Sequence, residues 1–272
     1  MPKGRPVRRH AELPLSALPA RFFDHDGVPI AYRLRPGRKP GLVWLGGFRS
    51  DMLGTKAEAL DAWAERSGHA CLRHDYSGHG ESGGVFREGT ISKWLDESLD
   101  AFRRFTEGPQ ILVGSSMGAW IALRMAQELC KASSGRVAGL VLLAPAPDFT
   151  ADLIEPHLDA AQRRDLDDKG FFERPSDYAG EPYVYTRALL EDGARNCVMT
   201  GPIDTHCPVH IIQGLDDPDV PHTHALKLAS HLPADDVTLS LVPGGDHRLS
   251  RPEDIAMLTA AVEAMVERAG RT

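Results

Sequence analysis

Gln110-Ile-Leu-Val-Gly-Ser-Ser-Met-Gly-Ala-Trp120 decides how this chain folds. A short apolar strand runs into Gly114-Ser115-Ser116-Met117-Gly118, and a helical pattern follows at once. G-x-S-x-G between a strand and a helix is a sharp turn that lifts the serine hydroxyl off the end of a sheet. The flanking positions must be glycine, because a Cβ there would strike the neighbouring strand or helix. The register selects Ser116 as the nucleophile position, since Ser115 has no glycine two residues before it. The amide of Met117, first in the helix, shares the positive end of the helix dipole and points at a developing oxyanion. Three fixed positions also arise by chance in loops, so the pattern needs partners elsewhere in the chain.

Outward from this turn, strands alternate with helices. Residues 21–34 read as a hairpin around Asp26-Gly27, and 41–47 and 69–76 as strands. Residues 55–66 repeat apolar positions at helical spacing, and 91–106 form a helix with Trp94, Leu95, Leu99 and Phe102 on one face. After the elbow come a helix at 119–130 and strands at 137–144, 209–213 and 237–242. Helices follow the last two strands, at 224–231 and 252–269. That alternation predicts an α/β fold, a mostly parallel sheet with helices on both faces. Residues 148–200 break the rhythm, rich in charge and aromatics and interrupted by Pro156, Pro175 and Pro182. An insertion of this length between core strands predicts a lid, so 20–272 reads as one domain behind a tail at 1–19.

Composition narrows the class. A 272-residue chain with 42% hydrophobic residues can bury a core, and no stretch approaches the roughly 18 apolar residues of a membrane span. Net charge −7 argues against nucleic acid as a partner. Cys71, Cys130, Cys197 and Cys207 form no C-x-x-C pair, which predicts a reduced, disulfide-free, cytoplasmic protein. The basic start, Met1-Pro-Lys-Gly-Arg-Pro-Val-Arg-Arg-His10, lacks the apolar core of a secretory signal. Its two prolines oppose the amphipathic helix of an organelle transit peptide, so it reads as a disordered tail.

A nucleophilic serine needs a base, and the base an orienting carboxylate. Both should follow the serine at later strand ends, the acid before the histidine. Gly214-Leu-Asp-Asp-Pro-Asp-Val-Pro221 offers Asp216, Asp217 and Asp219 after one strand, and Pro243-Gly-Gly-Asp-His247 offers His247 after the next. A second oxyanion donor belongs to the loop after the third strand, Leu45-Gly-Gly-Phe-Arg-Ser-Asp-Met52, where by position it is the amide of Phe48. Gly46 and Gly47 let the backbone approach a substrate there.

Together these stretches resemble the α/β-hydrolase family. The family's acid motif, three residues past the glycine, implies Asp217, and its histidine motif implies His247. Asp216 and Asp219 then read as solvated loop charges and Asp246 as an exposed or capping residue. Asp75-Tyr-Ser-Gly-His-Gly-Glu-Ser82 is similar to the family's D-x-x-G-x-G-x-S loop, which shapes the floor of the site, so His79 reads as structural. The family often has His-Gly where this chain has Gly46-Gly47. Gly47–Met52, Asp75–Gly78, Gln110–Gly118 and Gly245-Asp-His-Arg248 are also similar to one subgroup. Its animal members are mitochondrial acyl-glucuronide esterases that also remove palmitate from protein cysteines. The likeness spans about 22–269. It implies ester or thioester hydrolysis of a small-molecule substrate through a Ser116–Asp217–His247 triad, with no cofactor and no metal.

Other readings carry less. His222-Thr-His224 has metal-ligand spacing but no third ligand. Arg49 either holds a substrate carboxylate or pairs with Asp51. Phe149, Phe171, Phe172, Tyr178, Tyr183 and Tyr185 either line an acyl pocket or pack the lid. Amide or carbon–carbon hydrolysis would use the same triad, and a ligand-binding relative without catalysis is the reading from another class. Relatives acting on epoxides or carbon–halogen bonds carry aspartate where this chain has Ser116.

Overall fold

Strands with apolar residues on both faces must be covered on both sides, and two buried clusters do so here. The computed structural model describes residues 18–132, 135–175, 182–234 and 236–270. Its strands, in chain order, are β1 (Arg21–His25), β2 (Val28–Arg35), β3 (Arg38–Leu45), β4 (His69–His74), β5 (Gln110–Ser115), β6 (Val137–Leu143), β7 (Phe171–Arg174), β8 (Tyr183–Thr186), β9 (Val209–Gly214) and β10 (Val237–Val242). The helices are α1 (Thr55–Ser67), α2 (Ile91–Phe105), α3 (Met117–Lys131), α4 (Ala160–Lys169), α5 (Arg187–Arg195), α6 (His222–His231) and α7 (Pro252–Ala269).

Eight strands form one sheet in the order β1-β2-β4-β3-β5-β6-β9-β10. β1 and β2 pair antiparallel, as do β2 and β4, and every pairing from β4 to β10 is parallel. The fold class read from the sequence is the one observed. Alternation along each strand sorts its side chains. Val43, Leu45, Leu112, Leu140 and Leu142 join α2, α3, α5 and α6 on one face. Leu42, Trp44, Ile111, Val113, Val141 and Leu143 join α1 and α7 on the other. Asp26 and Gly27 both take positive φ, 50° and 81°, as a two-residue turn between β1 and β2 demands.

Boundaries shift where close packing intervenes. β3 ends at Leu45, because Gly46 and Gly47 leave the sheet to form the loop over the elbow. α3 begins at Met117, two residues before its apolar pattern suggests, because the elbow turns directly into the helix. The insertion holds more structure than its prolines imply. A π-helical turn (Thr150–Ile154) and a 3-10 turn (Glu155–His157) lead to α4, the antiparallel pair β7–β8 and α5. Tyr178 and residues 1–17 of the expected tail lie outside the described residues.

Buried polar groups pin the insertion at both ends. Asp148, 3% exposed, accepts the amides of Val198 and Met199 at 2.8 and 2.7 Å, joining the start of the insertion to its end. Burial, the largest influence, pushes the Asp148 carboxyl up, and those two amides oppose it. His224 faces the Pro147 carbonyl with Nε2 at 2.8 Å, and Asp192 accepts both the amide and the hydroxyl of Ser92, tying α5 to α2. Asp148→Ala would strand two buried amides, so urea unfolding should show a loss of about 2–4 kcal/mol. A midpoint unchanged from the parent would contradict this clamp.

Candidate active site

The elbow is built as its spelling requires. Ser116 sits at φ 55° and ψ −119°, a conformation costing on the order of 1–3 kcal/mol for a residue with a side chain. Its backbone is tied on both sides, the amide to Leu143 O at 2.9 Å and the carbonyl to the amides of Ala119 (3.0 Å) and Ala146 (3.2 Å). A Cβ on Gly118 would strike the carbonyls of Leu45 and Gly46, and one on Gly114 would stand 2.7 Å from the Ala119 Cα. Both glycines are therefore fixed by backbone approaching backbone, which cannot yield as a flexible side chain does. Ser115 is buried at the end of β5, while Ser116 is partly open.

Three side chains distant in sequence meet at this rim of the sheet. His247 Nε2 lies 3.0 Å from Ser116 Oγ, and His247 Nδ1 lies 2.9 Å from Asp217 Oδ2. The Asp217 side chain is fully buried, and that of His247 is 18% exposed. Asp217 Oδ1 accepts the amides of Asp219 (2.9 Å) and Val220 (2.8 Å), and Oδ2 accepts Gln213 Nε2 at 3.1 Å. Burial is the largest influence on this carboxyl and would raise its pKa. The His247 hydrogen bond and charge, with the two amides, outweigh it and hold the group below its usual value. Asp217 is thus an ionised acceptor that orients His247 with its proton on Nδ1 and leaves Nε2 facing Ser116.

The neighbouring acids fall elsewhere. Asp216 and Asp219 are exposed, and Asp246 accepts the Leu249 amide at 3.0 Å as a turn cap. Among the described residues, ligating atoms of Asp217, Asp219 and His247 lie within 4.8 Å of one another, but His247 Nδ1 is already committed to Asp217. His224 of the His222-Thr-His224 pattern is buried against the Pro147 carbonyl.

The loop after β3 lies against the elbow, so close that a Cβ on Gly47 would be 3.4 Å from Ser116 Cβ. Among the described residues, no hydrogen bond takes the amide proton of Phe48 or Met117. Asp75 braces this loop from below. Its Oδ1 accepts the Met52 amide at 2.7 Å, its Oδ2 accepts the Glu81 amide at 2.9 Å, and Ser82 Oγ donates to its carbonyl at 2.7 Å. Arg49, at φ 55°, holds its guanidinium 4.9 Å from the centre of the Phe86 ring.

A cavity of about 530 Å³ opens over Ser116 and His247. Gly47, Phe48, Arg49, Phe149, Leu153, Ile154, Tyr183 and Tyr185 line it, the last five of these from the insertion. Phe48 stacks on Tyr185 at 5.3 Å and 8°, and Phe172 stacks behind Tyr185 at 5.2 Å. Of the aromatics singled out in the insertion, Phe149, Tyr183 and Tyr185 face the cavity, and Phe172 packs behind them. Phe171 instead carries the Arg87 guanidinium on its ring at 4.3 Å. Gln213 escaped the sequence reading. An amide side chain in an otherwise apolar strand just before the acid loop was the signal for it.

Buried titrating groups beneath the site set its acid stability. Burial pulls His74 and His79 down to about 4 from the usual 6.5, so the unfolded chain takes up protons below 6.5 that the native state refuses. Asp75 acts with the opposite sign, since burial pushes it up to about 6 and the native state gains a proton first. Two histidines outweigh one aspartate, so these three groups together contribute on the order of 3 kcal/mol less stability at pH ~4.5 than at pH ~7, and urea unfolding should show a loss in that direction. Equal stability at both would contradict neutral buried histidines.

The family model described as "Alpha/beta hydrolase family" matches residues 12–258. The chain is 31% identical over 249 residues to the human palmitoyl-protein thioesterase ABHD10, covering 91% of this chain and 80% of that protein. A putative hydrolase from Agrobacterium vitis superposes with a TM-score of 0.87 at 54% identity, covering 91% of this chain and 99% of that one. The mouse alpha/beta hydrolase domain-containing protein 10 superposes with a TM-score of 0.83 at 30% identity, covering 92% and 99%. One expectation is corrected here. The curated ABHD10 relatives are named as mitochondrial proteins, which overturns the cytoplasmic location inferred from unpaired cysteines and a proline-containing N-terminus. Reduced thiols are compatible with more than one compartment, so they could not carry that choice. Among the described residues no helix is long and apolar enough to cross a membrane. The chain is an esterase- or thioesterase-type hydrolase and belongs to the alpha/beta hydrolase family.

Proposed function

We propose that the chain hydrolyses carboxylic esters and thioesters of small molecules through an acyl-enzyme on Ser116. His247 Nε2 takes the Ser116 proton as Oγ attacks the acyl carbon, and the carbonyl electron pair moves onto oxygen. The amides of Phe48 and Met117 donate hydrogen bonds to that oxyanion. The tetrahedral intermediate collapses, and His247 returns the proton to the departing alcohol or thiol. Water, deprotonated by His247, then attacks the acyl carbon; collapse releases the acid and reprotonates Ser116. Asp217 fixes the histidine tautomer and stabilises the imidazolium.

The observation that carries this reading is the unbroken hydrogen-bond file Ser116 Oγ–His247 Nε2–Asp217 Oδ2, at 3.0 and 2.9 Å, opening into the cavity. The Phe48 and Met117 amides, which have no acceptor among the described residues, fit an oxyanion hole beside it. The apolar wall of Phe48, Phe149, Leu153, Ile154, Tyr183 and Tyr185 suits an acyl group, and Gly47 and Arg49, which also line the cavity, touch the substrate beside Phe48. Residues 148–200 serve as the lid that supplies most of that wall. The thioesterase name of the curated relatives supports including thioesters.

Ser116→Ala should fold normally and lower p-nitrophenyl ester turnover by at least about 10⁴-fold, and Asp217→Asn should cost a comparable factor. Steady-state kinetics on circular-dichroism-matched proteins check this. Wild-type turnover in Ser116→Ala would overturn the assignment.

A further inference from the structure

His79, read from the sequence as a structural residue of the glycine-rich loop, has a more specific place. Gly78 and Gly80 flank it with φ of 73° and 46°, and that tight turn drives the imidazole inward. The ring is 4% exposed and packs edge-on against Tyr76, Phe86 and Trp94 at 5.5, 5.1 and 5.1 Å. Its Nδ1 lies 3.2 Å from the Ser77 carbonyl, which can only accept, so Nδ1 carries the proton. Nε2 is then an acceptor, and the Arg49 amide donates to it at 3.1 Å.

That amide belongs to the peptide joining Phe48 to Arg49, where the backbone turns through the left-handed region at Arg49 (φ 55°). The same loop is held further on by Ser50 N–H to Gly47 O at 3.1 Å and by Met52 N–H to Asp75. His79 supplies the one side-chain contact among the described residues that fixes the Phe48–Arg49 peptide itself. It does not line the cavity.

We propose that His79 is the positioning residue of the oxyanion hole: its Nε2 holds the Phe48–Arg49 peptide in the turn that leaves the Phe48 amide free for the oxyanion. The inference rests on the proposed acyl-enzyme reaction and on Phe48 as donor. A held loop and a floppy one bind the ground-state ester about equally and differ in the transition state, so kcat moves and KM does not.

His79→Phe keeps a ring in the aromatic setting and removes the acceptor; His79→Gln restores an acceptor oxygen. Losing an oxyanion donor outright costs about 10²–10³ in rate, so misplacing one should lower kcat in His79→Phe at least about tenfold, with KM within about twofold. Affinity for an arylboronic acid, whose tetrahedral adduct on Ser116 places an oxygen at the oxyanion position, should fall with it, and His79→Gln should recover both. A long-range nitrogen–proton NMR correlation on the unmodified protein should show His79 neutral with its proton on Nδ1. Wild-type kcat in folded His79→Phe, or a proton on Nε2 in the parent protein, would overturn the inference. Should His79→Phe fail to fold, the parent spectrum and His79→Gln decide: Nε2 protonated, or His79→Gln no slower in the absence of an acceptor contact, sinks it. Ester turnover abolished by Ser116→Ala alongside an unaffected His79→Phe would reject this inference alone. No turnover by the parent protein would reject the reaction beneath it.

Discussion

Everything at the site depends on how closely the backbone of α3 passes the backbone of β3. Gly118 runs so near the carbonyls of Leu45 and Gly46 that no side chain fits between them. This approach lets β5 turn into α3 within one residue and holds Ser116 in a conformation that a non-glycine residue otherwise avoids. It also brings the loop after β3 against the serine, so the proposed nucleophile and the candidate oxyanion donors share one rigid contact. The strain at Ser116 is offset by three backbone hydrogen bonds and by a core packed on both faces of the sheet.

The loop carrying Phe48 is where three parts of the molecule meet. From below, Asp75 and His79 hold its amides, and Asp75 keeps its place because Gly80 leaves room for the carboxylate. From above, the Phe48 ring stacks on Tyr185 of the insertion. The insertion is itself closed by Asp148 and tied to α2 through Asp192. A change in the insertion therefore reaches the backbone beside Ser116 through the ring contacts of Phe48 with Phe149, Tyr183 and Tyr185, whether or not it touches a substrate.

The parallel sheet and the elbow were legible because both are encoded locally. Continuous apolar strands, helical spacing and the glycines around Ser116 each state their structure within a few residues. His247 and the acid loop were legible by their order at strand ends, and the choice of Asp217 over Asp216 and Asp219 came from a family motif. The structure gives that choice a physical reason, since Asp217 is the buried one of the three. What stayed hidden depends on long-range placement. Asp148 reaching residues 198 and 199, β7 pairing with β8 across broken sequence, and Phe48 stacking on Tyr185 leave no periodic trace. His79 was identifiable as structural from its glycine neighbours, but its bond to Arg49 joins loops 30 positions apart.

In the proposed reaction the hydroxyl of Ser116, aligned with His247 and Asp217, is the group that attacks. Reaction with a fluorophosphonate followed by intact-mass and peptide mapping tests it most directly, since that probe reports an activated serine without knowledge of the substrate. One phosphonyl adduct per chain is expected, located on Ser116 and absent when His247 is replaced by alanine. A protein that stays unlabelled, or that carries the adduct on Ser115, would contradict it.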